Sequence, residues 1–396
     1  MAESAIIARI LASPLEVDAS AWNALLAQQS HPTPFMRHEY LAALHESQSA
    51  VPHTGWTPRF MTLWEGDMLV AACPLYLKSH SYGEYVFDWA WASAYEQHGV
   101  PYYPKAVVAV PFTPVPGARL LARDDTTRQR LVQALRQWCE DEGLSSLHVL
   151  FASDADVLTS ARQGLMLRHT VQFHWKNASY QDFDTFLAGL TQEKRKKIRQ
   201  ERRRVAEAGV TFRWALGVAI TPADWDFFYR CYERTYLEHG NPPYLTRAFF
   251  RQMAKRMPEQ WLLFIAERDG RPIASSLIAI DAAPSSASNP HRCEKPPRTA
   301  YGRYWGALER VDCLHFEACY YRPLDWCIAH GVQRFEGGAQ GEHKMARALL
   351  PVQATSAHWL AHPAFADAVE RFLAREGAGV QEYLEHLQAR SPFRTA

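Results

Sequence analysis

The sequence predicts an α/β (α+β) protein made of two similar halves, each a mostly antiparallel, mixed sheet flanked by helices. Three observations predict this. A segment that reads as strand, Gly/Asp turn, strand occurs twice, at Thr62–Leu77 and at Ile265–Ile280. A helical stretch that stops at a glycine and opens into a short strand also occurs twice: Trp138-Cys139 runs to Gly143, and Trp326-Cys327 runs to Gly331. The two pairs follow in the same order along 396 residues, a length that suits two or three domains at roughly 100 to 200 residues each.

Taken in order, Ala19 to Gln28 and His38 to Glu46 read as helices ahead of the first hairpin. The aromatic stretch Tyr82 to Phe112 follows it. Within that stretch Tyr85, Phe87, Trp89 and Trp91 alternate, which predicts one face of a strand, with Glu84, Val86 and Asp88 on the other. Pro101, Pro104, Pro111, Pro114 and Pro116 then forbid a long regular element. A strand is expected at Leu147 to Phe151, and the halves divide near residue 178, giving domains 1–178 and 179–396. The second half opens with a basic helix over 193–204 and continues through helices at Pro222 to Glu238 and Thr246 to Arg256. After its hairpin, 282–298 carries four prolines and no apolar period and reads as a flexible surface loop. A last short strand is expected at Gln333 to Glu336.

Composition excludes several classes. With 47% hydrophobic and 21% charged residues the chain is neither disordered, collagen-like nor a coiled coil. A net charge of +1 is not that of a protein that coats nucleic acid indiscriminately. No run approaches the ~18 apolar residues of a membrane span. The first ten residues hold Glu3 and Arg9, which break the apolar stretch of a secretory signal. Seven cysteines without C-x-x-C spacing argue against a disulfide framework and a zinc ribbon, so a cytoplasmic protein with reduced thiols is expected. His358 and His362 have the spacing of a helical metal pair but lack the glutamate of H-E-x-x-H, and no metal is expected.

Three segments can carry chemistry. Glu193 to Arg204 holds eight basic and two acidic side chains, a local charge of +6 that leaves the rest of the chain at −5. Leu190, Ile198 and Val205 form a narrow apolar stripe, so Arg195, Arg199, Arg202 and Arg203 are expected to face outward, either merely solvated or as a phosphate- and RNA-binding surface. The aromatic stretch, with Asp88, Trp89, Tyr95, Tyr102, Tyr103 and Lys105, suits a polar substrate, although core packing explains its Trp residues equally well. In Phe335 to Arg347, glycines after a strand let the backbone approach a ligand, with Glu336, Glu342, His343, Lys344 and Arg347 around them. No G-x-x-x-x-G-K-[ST] or G-x-G-x-x-G occurs, which disfavours P-loop and dinucleotide enzymes.

The stretches Lys78 to Trp89, Tyr102-Tyr103-Pro104-Lys105, Val110 to Val115 and Phe335 to Lys344 resemble the bacterial FemAB-like family of peptidoglycan biosynthesis or recognition proteins, placed in the GNAT acyltransferase superfamily. The resemblance runs over nearly the whole chain and implies tandem GNAT-like domains. Fem-type enzymes transfer an amino acid from aminoacyl-tRNA to an amine of a peptidoglycan precursor; ordinary GNAT enzymes use acetyl-CoA held by a [QR]-x-x-G-x-[GA] loop, of which this chain has no clear copy. The resemblance thus implies an acyl or aminoacyl transferase acting on a small-molecule or peptide amine. It would hold no bound cofactor and would take aminoacyl-tRNA or acyl-CoA as activated donor. A CoA-dependent N-acyltransferase and a non-catalytic binder of peptidoglycan or nucleic acid are the alternatives. Amine attack on an activated carbonyl needs a base and an oxyanion donor: Glu336, Glu342 or His343 can take the proton, and Lys344 or Arg347 can bind phosphate or the oxyanion.

Overall fold

A computed structural model describes residues 5–281, 298–339 and 341–394. In chain order the elements are β1 (Ile6–Leu11), α1 (Ala19–Ala27), α2 (His38–Glu46), β2 (Trp56–Pro58), β3 (Phe60–Glu65), β4 (Met68–Cys73), β5 (Leu75–Lys78), α3 (Trp89–Gln97), β6 (Lys105–Val108), β7 (Leu121–Ala122), α4 (Asp125–Asp141), β8 (Ser146–Ala152), α5 (Asp154–Arg162) and β9 (Met166–Lys176). There follow α6 (Phe183–Ala188), α7 (Gln192–Glu207), β10 (Val210–Leu216), α8 (Pro222–Glu238), α9 (Arg247–Arg256), β11 (Trp261–Arg268), β12 (Arg271–Ile280), β13 (Thr299–Ala307), α10 (Leu314–Phe316), a π-helical turn (Glu317–Tyr321), α11 (Arg322–Ala329), β14 (Arg334–Ala339), β15 (Leu350–Leu360) and α12 (Pro363–Ala389).

The chain forms two compact units: Met1–Thr170 with Gln353–Tyr383, and Val171–Val352 with Leu384–Ala396. In the first, β1-β3-β4-β7 make one sheet and β15-β8-β6-β5-β2 pair side by side in another. Pro74 separates β4 from β5; it has no N–H to donate to a ladder, and the chain changes sheet there. In the second unit the order is β10-β11-β12-β13-β14-β9. Among the described strands each unit has one parallel pairing beside antiparallel ones, β6 with β8 and β13 with β14. This is the mixed α/β class of two similar halves, each with a mostly antiparallel sheet, expected from the repeat. Both hairpins are present, β3–β4 and β11–β12, and Gly143 and Gly331 take φ of 63° and 65° where α4 and α11 end. Helix α8 begins as its sequence implies, with Pro222 in the first turn and a Thr221/Asp224 capping box. It lies so close on β13 that a Cβ at Gly306 would stand 1.8 Å from the Cys231 carbonyl oxygen.

Three expectations differ from the structure. The stretch through Tyr85 and Trp91 is not a strand: Tyr85 has φ of 62° and Trp89–Gln97 is helical. Ala90, Ala92, Ser93 and Ala94 favour that helix, and its period buries Trp91 and Tyr95 while leaving Trp89 outside. The division between units falls at Thr170/Val171 rather than near 178, and 353–383 returns to the first unit. The reason is pairing and burial: β15 pairs with β8, His358 opposite His148, and Leu360, Val369 and Leu373 pack with Trp91, Tyr95 and Tyr102. The proposed loop 282–298 lies, except for Arg298, outside the described residues.

Candidate functional site

In the second unit β14 carries the glycine-rich motif. Its parallel pairing with β13 ends at Tyr301 opposite Glu336, and on its other side Glu336 stands opposite His174 of β9. Glu336 is buried, and neither carboxyl oxygen has a hydrogen bond among the described residues. Its closest charged groups are at ion-pair range only, Arg334 Nε at 3.7 Å and His174 Nε2 at 3.8 Å. Burial pushes its pKa up to about 8, with Arg334 opposing and Asp281 reinforcing the shift. Asp281 is itself raised to about 6, chiefly by burial, and accepts from the Tyr301 hydroxyl at 3.2 Å.

Gly337 faces away from Glu336, as neighbours on a strand do. A Cβ there would sit 2.3 Å from Leu349 and 3.5 Å from Cδ of Lys344, so Lys344 crosses the strand on the face opposite Glu336. Lys344 is buried and its ammonium donates to the Gly338 carbonyl at 3.0 Å. Burial brings its pKa down to about 8, partly offset by Cys319. His343 Nε2 meets the Tyr320 hydroxyl at 3.2 Å; burial, then the charges of Arg347 and Lys344, lower its pKa. Glu342 is exposed, 3.7 Å from Arg390. The four expected catalytic residues therefore divide: Glu336 on one face of β14, His343 and Lys344 on the other, Glu342 at the surface.

Arg347, expected to bind substrate, is buried and held. Its Nη2 donates to both carboxyl oxygens of Glu201 at 3.0 Å, its Nη1 donates to the His343 carbonyl at 2.7 Å, and its guanidinium lies 3.4 Å from the Phe316 ring centroid. The Tyr321 hydroxyl also donates to Glu201. Glu201 sits on the buried stripe of α7 at the i+3 position from Ile198 and i−4 from Val205, a placement legible in the sequence but hidden by its basic neighbours.

The basic helix is less uniform than its composition. Arg199 and Arg203 are exposed, with acidic neighbours at 3.5 Å (Asp184) and 3.6 Å (Glu207). Lys196, Lys197 and Arg204 are exposed with no ion pair among the described residues. Arg195 is half-buried in a shallow depression with Gln192, Ser391, Phe393 and Arg394. Arg202 corrects the expectation of an outward face: it pairs with buried Glu317 at 3.2 Å and lies over the Phe183 ring. Uncompensated burial of the Glu317 carboxylate would be costly, which turns Arg202 inward.

In the first unit Asp88, Tyr102 and Lys105 do come together, but in a closed network. The Lys105 ammonium donates to Ser81 Oγ and Glu84 Oε2, each at 2.8 Å, and to Asp88 Oδ2, which uses all three of its protons. The Tyr102 hydroxyl donates to Asp88 at 2.6 Å. His148, 2.7 Å from His358 between their Nδ1 atoms, continues the network, and Tyr103 joins its edge through Ser81 at 2.8 Å. Burial tends to raise Asp88, but Lys105 and His148 hold it below the usual carboxylate range. Tyr95 is buried against Phe365, and Trp89 is 41% exposed beside Tyr82. Asp88, Tyr102 and Lys105 thus bind one another through Asp88 Oδ2, while Asp88 Oδ1 and Glu84 Oε1 are buried without a hydrogen bond among the described residues. Among the described residues no group of three or more His, Cys, Asp or Glu is placed to hold a metal ion.

A profile of the FemAB-like family, described as peptidoglycan biosynthesis/recognition, matches residues 13–395. The chain belongs to the FemAB-like family. No curated protein sequence matches this FemAB-like chain. Among solved structures it is similar to FemX, at 9% identity and a TM-score of 0.53, covering 89% of this chain and 98% of that one. It is also similar to the C-terminal domain of an Agrobacterium fabrum protein designated a lysylphosphatidylglycerol synthetase (11% identity, TM-score 0.54, 91% and 97% covered). A third is L-PGS from Bacillus licheniformis (10% identity, TM-score 0.51, 90% and 97% covered). At such identities these likenesses concern the fold. No helix among the described residues is long and apolar enough to cross a membrane.

Proposed function

We propose that this FemAB-like protein is an acyl or aminoacyl transferase that moves an activated acyl group onto an amine of a cell-wall precursor or similar metabolite, with its site at Glu336–Lys344 of the second unit. The observation that carries the reading is Glu336: a buried carboxyl whose two oxygens have no hydrogen bond among the described residues, at the point where β13 and β14 stop pairing, and with its pKa pushed up to about 8. A base of that strength can take a proton from an alkylammonium near neutral pH, which a surface carboxylate does poorly. The freed amine attacks the donor carbonyl, a C–N bond forms, and the tetrahedral intermediate collapses with loss of the donor's oxygen or sulfur. At that collapse the nitrogen gives up its second proton to the leaving group, and Glu336 releases the first to solvent, which leaves a neutral amide and regenerates the carboxylate. Lys344, held at the Gly338 carbonyl on the other face of β14, supplies a cation for the phosphates of the donor rather than for the oxyanion beside Glu336.

Two observations favour a donor carried on RNA over acyl-CoA. The exposed cations of α7 suit a phosphate backbone. The turns where a pyrophosphate would meet a helix are instead occupied by carboxylates: Asp124 caps α4, accepting from the Thr127 N–H at 2.7 Å, and Glu309 and Asp312 precede α10. The designation of the Agrobacterium fabrum structure as a lysylphosphatidylglycerol synthetase agrees with amino-acid transfer. Incubation with aminoacyl-tRNA and, separately, with acyl-CoA across a panel of amines tests the reading. Product is expected with the tRNA donor, with kcat/KM rising with pH through about 8, and Glu336→Gln should lower it by about a hundredfold or more and flatten that rise. Tight binding of a cell-wall fragment without turnover from either donor would make the protein a binder instead.

A further inference from the structure

Glu201 stands out because a helix with eight basic residues buries one of its three acids and leaves Glu193 and Glu207 exposed. It joins three elements of the second unit: α7, on which it lies; the π-helical turn, through the Tyr321 hydroxyl; and the turn Glu342–Arg347, through two hydrogen bonds of 3.0 Å from Arg347 Nη2. The same guanidinium holds the His343 carbonyl at 2.7 Å, and Lys344 is the next residue in the chain. The turn lies between Gly341, whose φ is 103°, and Ala348, whose φ is 64°, and Arg347, its last residue, reaches back to the carbonyl of His343, its second. Arg347 fixes it, and Glu201 fixes Arg347.

We infer that Glu201 is a positioning residue: through the Arg347 guanidinium it sets the turn that presents His343 and Lys344, and so couples the donor-facing helix α7 to the reacting end of β14. The inference rests on the reading of Glu336–Lys344 as the site. Nη2 is shared between the two carboxyl oxygens of Glu201 while Nη1 is taken by the His343 carbonyl, so the carboxylate and the carbonyl hold the planar guanidinium at two of its nitrogens and fix its orientation as well as its distance. Tyr321 orients the carboxylate in turn, and the π turn that carries Tyr321 also carries Tyr320, the partner of His343. Both supports of His343 therefore come from groups that Glu201 holds or that adjoin them.

The test uses the full chain. Glu201→Gln keeps the size and loses the charge that grips Arg347. It is expected to lower kcat about tenfold or more, with KM for both substrates within about twofold of wild type and with the protein fully folded at the assay temperature. Arg347→Gln should do the same, and the double variant should be no worse than either single one. Glu201→Asp should recover part of the rate. Independently of turnover, the His343 imidazole titration followed by NMR should move up toward its ordinary range in Glu201→Gln, since a loosened turn relieves the partial desolvation of this exposed ring and its proximity to the Arg347 and Lys344 charges. If Glu201→Gln does not fold, Tyr321→Phe, which removes one hydrogen bond from Glu201 and no charge, is expected to lower kcat about threefold and to move His343 in the same direction. Wild-type kcat with an unmoved His343 titration overturns the inference. Absence of turnover in the wild type with every donor overturns the transferase reading alone, and the His343 titration then decides the role of Glu201.

Discussion

His148 and His358 show how burial of a titratable pair turns into a pH dependence of stability. They face each other across β8 and β15, buried and bonded through Nδ1. Burial lowers both, His148 well below its ordinary range and His358 to about 3, with neighbouring cations, Lys105 for the first and Arg168 for the second, adding to the effect. The unfolded chain binds protons on these rings below about pH 6.5 while the folded protein does not, so stability is fully present above that value and falls as pH drops through it. The slope is about 1.4 kcal/mol per pH unit for each histidine. Glu84 and Glu336, raised by burial to about 7 and about 8, act in the opposite sense, since the folded state keeps their protons longer. The difference between parent and His358→Gln isolates the histidine part: urea midpoints compared from pH 7 to pH 5 should fall less steeply in the variant. Parallel slopes would mean that the pair does not stay neutral in the folded state.

Helix α7 can be judged only as an element, because its charges do not act alike. Ile198, Glu201 and Val205 are its buried side, and Arg202 belongs functionally with them through Glu317. The surface available to a polyanion is Arg195, Lys196, Lys197, Arg199, Arg203 and Arg204. If about five of these contact single-stranded phosphates, affinity for RNA falls as roughly the 3.5 power of salt, about a hundredfold between 50 and 200 mM. Reversing Arg195, Arg199 and Arg203 to Glu should abolish RNA association and leave the melting temperature within a few degrees of wild type. Reversing Arg202 should instead lower stability by about 2 kcal/mol or more, since it sets a second carboxylate against buried Glu317. Filter binding across a salt series and thermal melts separate the two effects. Salt-independent binding, or none at 50 mM, would return the helix to a solvated face and remove the main support for an RNA-borne donor.

For the whole molecule the decisive feature is that the first unit is not contiguous in sequence: it recovers 353–383 after the second unit is complete. A chain ending at residue 178 would lack β15, the partner of β8, and leave Trp91, Tyr95 and Tyr102 without Leu360, Val369 and Leu373. It is expected to lack cooperative unfolding and sharp methyl signals, whereas a self-sufficient half would show both. By itself the sequence determined the repeated hairpins, the glycine-stopped helices, the family and the glycine-rich motif, because each depends on local chemistry: alternation, a left-handed glycine, a backbone without side chains. It misled where two local codes compete, as at Tyr85 to Trp91, whose alternation suits a strand while its alanines suit a helix. Which charges are free and which are engaged was settled only by the tertiary structure. Lys105, Arg202 and Arg347 read as ligands in a linear chain, yet each is held by a carboxylate that folding brings to it: Glu84 and Asp88, Glu317, and Glu201. Glu336 is the reverse case, a carboxyl that folding buries without a hydrogen-bond partner among the described residues, and burial is a property of the fold that no residue carries in its own identity.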